Sequence, residues 1–387
     1  MKRIHSLAIA CSIAAAPQGM VAHAAPQLRL PPADAKLDEE FTIIGSVREL
    51  SDGRVLITDA REGRVVVADF RTGVVKPVGR KGQGPGEYGN GWPLYPIAGD
   101  SSIMFDLQSR RWLVLNGTAI VTTMPPDAPI ILATKGSARG TDGRGRVWTI
   151  ASPTQFDESK SKPGSIDVGA ADSEFVVLGN RTTGKLDTVA KVRAAPMRQT
   201  VTTNAQGNFQ SVSWARPPYS VGEEAALFMD GWMAIARMDP YRVDWISPEG
   251  RVTKGRAIAV PQIRLSAAER DAYDERRRAA NPTPSRNMIP SLRADAAALR
   301  DEFPEFVPPF TARGLTPGGD GTLWLRKQVS KDFLEPRYDV VDRTGTLRGV
   351  VSLVKNERIV AVSRTAVYVV WKDGDDIERL RRHPVPR

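Results

Sequence analysis

The sequence predicts an all-β fold: a six-bladed β-propeller of four-stranded antiparallel blades, with a helical insertion between blades 4 and 5. Three observations lead there. Around Asp52 the chain reads SVRELSDGRVLITDAREGRVVVADFRTGVVKPVG, four short runs rich in Val, Ile and Leu separated by Asp-Gly, Arg-Glu-Gly and Arg-Thr-Gly turns, which is the grammar of an antiparallel meander. The same turn-then-strand phrase returns at Gly99-Asp100-Ser101, Asp142-Gly143, Asp230-Gly231 and Asp320-Gly321, and in weaker form at Ser363-Arg364 before AVYVVW. Starting points at 52, 100, 142, 230, 320 and 363 lie 48, 42, 88, 90 and 43 residues apart. A period in the forties with four strands per unit is the signature of a propeller, and the two doubled spacings hold insertions.

The elements follow in chain order. Residues 1–24 carry Lys2 and Arg3, then a mostly apolar run, then Ala22-His23-Ala24. This is the form of an export signal cut between Ala24 and Ala25. Cys11, after Ala8-Ile9-Ala10, is an alternative lipidation point with a short apolar run ahead of it. No later stretch is apolar for the ~18 residues that a span requires. The expected location is therefore periplasmic or secreted, as a monomer without a membrane span. Without the leader, 52 Lys and Arg face 44 Asp and Glu over 363 residues. That modest excess is spread along the chain and suits anionic envelope polymers. Arg276-Arg277-Arg278 and the tail arginines Arg379, Arg381 and Arg382 read as solvated faces. Nucleic acid is not an expected partner, because no basic run is interleaved with aromatics.

The stretch GRKGQGPGEYG, 79–89, joins the first unit to the second. No Ser or Thr follows Lys81 as a phosphate loop requires, so the glycines serve a chain reversal from the rim of one blade to the axis of the next. Behind each axial strand comes a further strand and turn: RWLVLNG, EFVVLGNRTTGKL, YRVDWISPEGRV and RYDVVDRTGTL. Residues 152–172 are polar and small and read as an exposed loop in the third blade, and 193–221 read as an irregular loop insertion that is a candidate cover for the channel mouth. The insertion 263–308 opens with Ser266-Ala267-Ala268-Glu269, a capping box. A helix to about Ala280 and a second from about Ser291 to Phe303 are expected around Asn281-Pro282-Thr283-Pro284. They would form a lid, a docking face or a packing element. Residues 25–387 thus form one propeller domain.

The phrase Gly82-Gln83-Gly84-Pro85-Gly86-Glu87-Tyr88, the pattern Asp59 to Arg64 before VVVADF, and its echo Asp106 to Arg111 before WLVLN resemble the NHL-like six-bladed propellers over about residues 40–385. The resemblance implies that the ring closes by pairing a strand drawn from 27–44 with VYVVWKD and IERLRRH, since the sixth unit has three strands of its own. Zinc-dependent lyases of that kind use several histidines, and streptogramin lyases a histidine acid/base. Beyond the leader, with His5 and His23, this chain has only His383. Gluconolactonase-like propellers hold a divalent cation with axial oxygen ligands, for which Glu49, Asp100, Asp142, Asp230 and Asp320 are candidates. Asp142, Asp230 and Asp320 precede glycine, where capping a turn accounts for them.

Trp112, Trp148, Trp232, Trp245, Trp324 and Trp371 fall in expected strands and read as inter-blade filling. Trp92 and Trp214 fall in connectors and, with Arg216 and Tyr219, are the candidate binding residues. The sequence reads as a non-enzymatic binding or scaffold module, without a cofactor, for a peptide, glycan or envelope protein. A lactonase or hydrolase with one divalent cation such as calcium is the alternative.

Overall fold

The computed structural model describes residues 25–106, 108–109, 111–124, 128–134, 138–152, 164–169, 172–203, 209–280 and 303–386. Two short strands come first, β1 (Gln27–Leu28) and β2 (Ala35–Lys36). Blade 1 follows as β3 (Ile44–Glu49), β4 (Val55–Asp59), β5 (Arg64–Asp69) and β6 (Val74–Pro77), and a small parallel pair, β7 (Arg80–Lys81) with β8 (Glu87–Tyr88), leads out of it. Blade 2 is β9 (Gly91–Pro96), β10 (Ser101–Asp106), β11 (Arg111–Asn116) and β12 (Ala119–Met124), followed by α1 (Pro129–Thr134). Blade 3 is β13 (Gly140–Thr141), β14 (Arg146–Ala151), β16 (Ser173–Asn180) and β17 (Leu186–Arg193), with β15 (Gly164–Gly169) inserted between its second and third strands. After β18 (Arg198–Thr203) and β19 (Phe209–Ala215), blade 4 is β20 (Glu224–Leu227), β21 (Met233–Met238), β22 (Tyr241–Ile246) and β23 (Val252–Thr253). The helix α2 (Ala267–Ala280) precedes blade 5: β24 (Leu315–Pro317), β25 (Leu323–Arg326), β26 (Arg337–Val341) and β27 (Leu347–Ser352). Blade 6 is β28 (Glu357–Val362), β29 (Ala366–Lys372) and β30 (Glu378–Pro384), with β2 as its fourth, outer strand.

The ring closes as the sequence predicts. β2 pairs antiparallel with β30, Ala35 opposite Arg382. A second device was not legible in the sequence: β1 adds in parallel to the outer edge of blade 5, Gln27 opposite Val350. The tail arginines are not solvated faces but the ionic half of this seam. Arg382 meets Asp34 at 2.6 Å, Arg381 meets Glu357 at 2.9 Å, and Arg379 bonds Glu40 and Asp373. Glu378 accepts the Ile44 N–H at 2.6 Å and the Arg358 guanidinium at 2.8 Å.

Period-two alternation explains the radial packing, because a strand buried on both faces sends successive residues to different neighbours. In β4 the entire run VLITD is buried. Val55 and Ile57 pack against Tyr368 and Val370 of blade 6, while Leu56 packs with Met104 and Leu113 of blade 2. Equivalent clusters join blades 2 and 3 through Trp112 and Val147, and blades 3 and 4 through Trp148 and Ile235. Trp245 and Leu325 join blades 4 and 5, and Trp324 and Val369 join blades 5 and 6. Six clusters for six interfaces make the closed ring. Four of the six strand-assigned tryptophans are the filling expected; Trp232 stands just ahead of β21, half-buried under Arg343, and Trp371 lies half-buried beneath Arg381.

The Gly-rich connector is structural. Gly79 and Gly86 take φ of 65° and 73°, a region that L side chains rarely occupy. Tyr88, buried at 2% exposure, accepts the Val65 N–H and donates to the Val78 carbonyl, both at 2.9 Å. The Asp59 and Asp106 echoes do one job twice: each buried carboxylate fastens the incoming connector to its own blade. Asp59 accepts the N–H groups of Thr42 and Glu62, and Asp106 those of Gly89 and Asn90 at 3.1 Å. Burial alone would raise the Asp106 carboxyl, but those N–H groups more than offset it and hold the carboxyl below its usual range.

Two expectations change. The stretches 152–172 and 193–221 are not merely loops: β15, β18 and β19 join as a separate three-stranded antiparallel sheet. Their polar, Ser- and Thr-rich sequences carry no apolar period by which a strand is read. The capping box is half formed. Ser266 Oγ accepts the Glu269 N–H at 3.3 Å, but the Glu269 carboxylate, 1% exposed, takes the Lys331 N–H instead and ties α2 to a loop of blade 5. The second expected helix, 291–303, lies outside the described residues but for Phe303. Among the described residues no helix is long and apolar enough to cross a membrane.

Candidate functional site

Because every blade is an up-and-down meander, its first-to-second and third-to-fourth turns fall on one face of the ring, here the turn face. Second-to-third turns and the connectors between blades fall on the other, the insertion face. The six phrases that revealed the repeat are all first-to-second turns, so they encircle the axis on the turn face. The β15–β18–β19 sheet, α2 and the Lys331 loop all arise on the insertion face.

An axial cavity of about 620 Å³ is walled by the innermost strands β3, β9, β13, β20, β24 and β28 and extends to the turn face at Gly99, Asp230, Gly319 and Ser363. A groove of about 420 Å³ adjoins it, walled by Leu50, Ser51, Asp100 and Thr365 and sharing Glu49, Gly99, Ser363 and Arg364 with the cavity. Four arginines line the cavity, Arg48, Arg139, Arg343 and Arg364, against two carboxylates, Glu49 and Asp230.

Each of those charges has a distinct setting. Arg48 drives its guanidinium into the β9–β10 turn, donating to the carbonyls of Gly99 and Ser101 and to Ser102 Oγ. Burial pulls its pKa down to about 10, with Asp100 acting in the opposite sense. Glu49 accepts the Tyr368 hydroxyl at 2.7 Å. Burial and that bond push the phenol well up. Asp230 accepts the Trp232 N–H and, at 2.5 Å, the Arg343 guanidinium, which sits 5.2 Å from the Trp232 ring centre. Arg139 and Arg364 are exposed, and neither has a carboxylate within ion-pair distance among the described residues. Tyr95, also in the wall, donates to the Ala138 carbonyl at 2.8 Å and is pushed up to about 12 by burial, with Arg139 and Arg313 pulling it down. Glu224, where β20 begins, is raised by burial, against the Arg313 N–H and the charges of Arg139 and Arg313.

Every axial carboxylate singled out in the sequence is engaged. Asp100 accepts Ser51 N–H and Oγ–H at 2.8 and 2.6 Å. Asp142 accepts the Arg144 and Arg146 N–H groups and the Arg146 guanidinium at 2.7 Å. Asp320 accepts Thr322 N–H and Oγ1–H at 3.0 and 2.7 Å. Among the described residues no three of His, Cys, Asp or Glu gather as a cation site. His383 places Nδ1 2.8 Å from the Pro31 carbonyl at the closing seam.

The candidate binding residues do not converge. Trp92 and Trp214 lie within β9 and β19 rather than in connectors, and their side chains lie outside the described part. Arg216 is exposed on the insertion face. Tyr219 is buried at 6% exposure with φ of 54°, its ring 4.6 Å from that of Tyr273 and its hydroxyl accepting Arg276 at 3.0 Å. It is the seat of α2, and none of the described residues of 193–221 or α2 lines the cavity. Sequence reasoning missed Arg139, Arg343 and Arg364, isolated charges in no motif. One signal was present: Ser363-Arg364 is the single first-to-second turn of the six without Asp or Gly.

No family model matches the chain, and no curated protein matches it. Solved structures do. The calcium-binding protein regucalcin from Agrobacterium tumefaciens is 9% identical, with a TM-score of 0.41, over 94% of this chain and 99% of that one. A member of the DUF4221 family from Bacteroides vulgatus is 7% identical, TM-score 0.47, over 91% and 97%. A catalytically inactive virginiamycin B lyase from Staphylococcus aureus is 9% identical, TM-score 0.37, over 90% and 99%. At these values the six-bladed ring stands on its own strand pairing.

Proposed function

We propose that the protein is an exported NHL-like propeller that works as a binding module, taking an anionic peptide or glycan at the turn-face mouth of its channel. The observation that carries this is the balance of the cavity wall. Four arginines face two carboxylates, and both carboxylates are already bonded to neighbours, so the charge left for a ligand is positive. A rigid ring with short turns supplies a preformed mouth, which limits the ordering cost of binding. The reading needs no cofactor and no catalysis. Residues 1–24 would serve as the leader, so protein recovered from the cell envelope should begin at Ala25.

The alternative, a calcium-dependent lactonase, needs Glu49 or Asp230 to leave its partner and ligate a cation. Two measurements on the purified protein decide between them: bound calcium, magnesium and zinc by elemental analysis, and melting with and without a chelator. A metal-free protein indifferent to chelator, whose melting temperature rises with polyanions and not polycations, supports the binding module. Stoichiometric metal with a chelator-sensitive transition supports the lactonase.

A further inference from the structure

We infer that the ligand of this mouth is an acidic, extended polypeptide segment, its carboxylates on Arg139 and Arg364, its backbone running from the channel into the groove over the turns of blades 6, 1 and 2, and an apolar side chain resting on Met229. The inference rests on the anion-binding reading above and names the ligand class. Four observations support it.

The first is shape. Cavity and groove share Glu49, Gly99, Ser363 and Arg364, so they form one bent trough, suited to a chain and poorly filled by a compact metabolite. The second is charge. Arg139 and Arg364 stand in the trough as exposed guanidinium groups with no carboxylate within ion-pair distance among the described residues, and guanidinium recognises a carboxylate with two parallel hydrogen bonds.

The third is Met229. It follows β20 at the mouth and is 41% exposed although it lines the cavity. Its carbonyl is fixed by the Gly143 N–H at 2.8 Å, so the backbone is held while the thioether stays free. An unbranched, polarisable side chain in that position adapts to varied apolar partners.

The fourth separates peptide from glycan. Sugar rings are usually bound on exposed aromatic faces, yet among the described residues the groove wall holds no aromatic side chain, and in the channel Trp148, Phe228 and Tyr368 are 6%, 3% and 1% exposed while Tyr95, half-buried, is tied by its hydroxyl to the Ala138 carbonyl. What the trough offers instead is an exposed apolar side chain, Met229, beside two exposed guanidinium groups, a pairing that suits alternating acidic and apolar side chains.

The test is fluorescence anisotropy with the full-length exported protein and four probes: a labelled peptide alternating Glu and Leu, its Lys and Leu counterpart, an oligogalacturonate, and succinate as a competitor. The expected result is binding of the acidic peptide alone among the three chains, with succinate competing far more weakly than unlabelled peptide. Arg139→Ala and Arg364→Ala should each weaken it by about tenfold with an unchanged melting temperature, and Met229→Glu should weaken it as well. Arg278→Ala, on the exposed surface of α2, should change nothing. Binding of oligogalacturonate without peptide, or succinate as strong a competitor as the peptide, overturns the peptide inference and leaves the anion-binding reading standing. No binding of any anion overturns both.

Discussion

The two faces of the ring use chain in opposite ways. On the turn face the six first-to-second turns are short, and the hollow they surround carries most of its charge on Arg48, Arg139, Arg343 and Arg364. The insertion face holds the added sheet, α2 and the Lys331 loop, yet two of its buried groups are turned inward, Glu269 capping a loop and Tyr219 seating a helix, while the exposed Arg270 lies over the Phe303 ring at 5.2 Å. Length of insertion is therefore a poor guide to a binding surface here. A long excursion must satisfy its own backbone and bury its own apolar face, whereas a short turn on a rigid sheet leaves side chains unspent.

The largest expected effect breaks the frame that both faces share. Glu378→Ala would strand the Arg358 guanidinium and the Ile44 N–H at the closing seam, costing about 3–5 kcal/mol, as expected for half of a buried pair. Chemical denaturation should show it, and both faces should loosen together. A smaller effect separates the faces: Tyr219→Ala should free α2, seen as faster proteolysis within 266–303, while anion binding at the turn face holds. Titration then addresses the core. Phenols of Tyr88, Tyr95, Tyr241, Tyr338 and Tyr368 are raised above their ordinary value by burial. The folded state thus keeps protons that the unfolded chain releases above about pH 10, so their stabilisation is whole below that pH and is lost as pH rises past it. Arg48, lowered to about 10, and Arg337, also lowered by burial, act in the opposite sense against the more numerous phenols, Tyr219 among them. Melting temperature should hold up to about pH 9 and fall beyond 10, and Tyr95→Phe should soften that fall. The smallest effect on stability is Arg364→Ala, within about 0.5 kcal/mol as for an exposed turn residue, against its larger loss of binding.

Much of the ring was legible because repetition averages over local ambiguity. Six phrases in register placed the blades, and the shortage of strands in the last unit pointed to closure by 27–44. The added sheet was not legible, since strands such as RQTVTT carry no apolar period. The pairing of Arg379 and Arg382 was hidden for another reason: Glu40 and Asp34 are some 340 residues away in sequence. Of the site, Asp142, Asp230 and Asp320 drew attention because Asp-Gly is a motif, and each caps its turn, whereas Glu49 and Asp100 bond Tyr368 and Ser51. Of the arginines that give the cavity its sign, only Arg364 stands in one of the six repeating phrases, and only the ring brings them together.

Hydrogen exchange of the protein with and without the Glu- and Leu-containing peptide tests the division between the faces most directly. The account predicts slowed exchange in the turns at 99–102, 229–232 and 363–366 and no change in 266–280. Slowed exchange confined to α2 and the Tyr219 segment, with the axial turns unaltered, would contradict it.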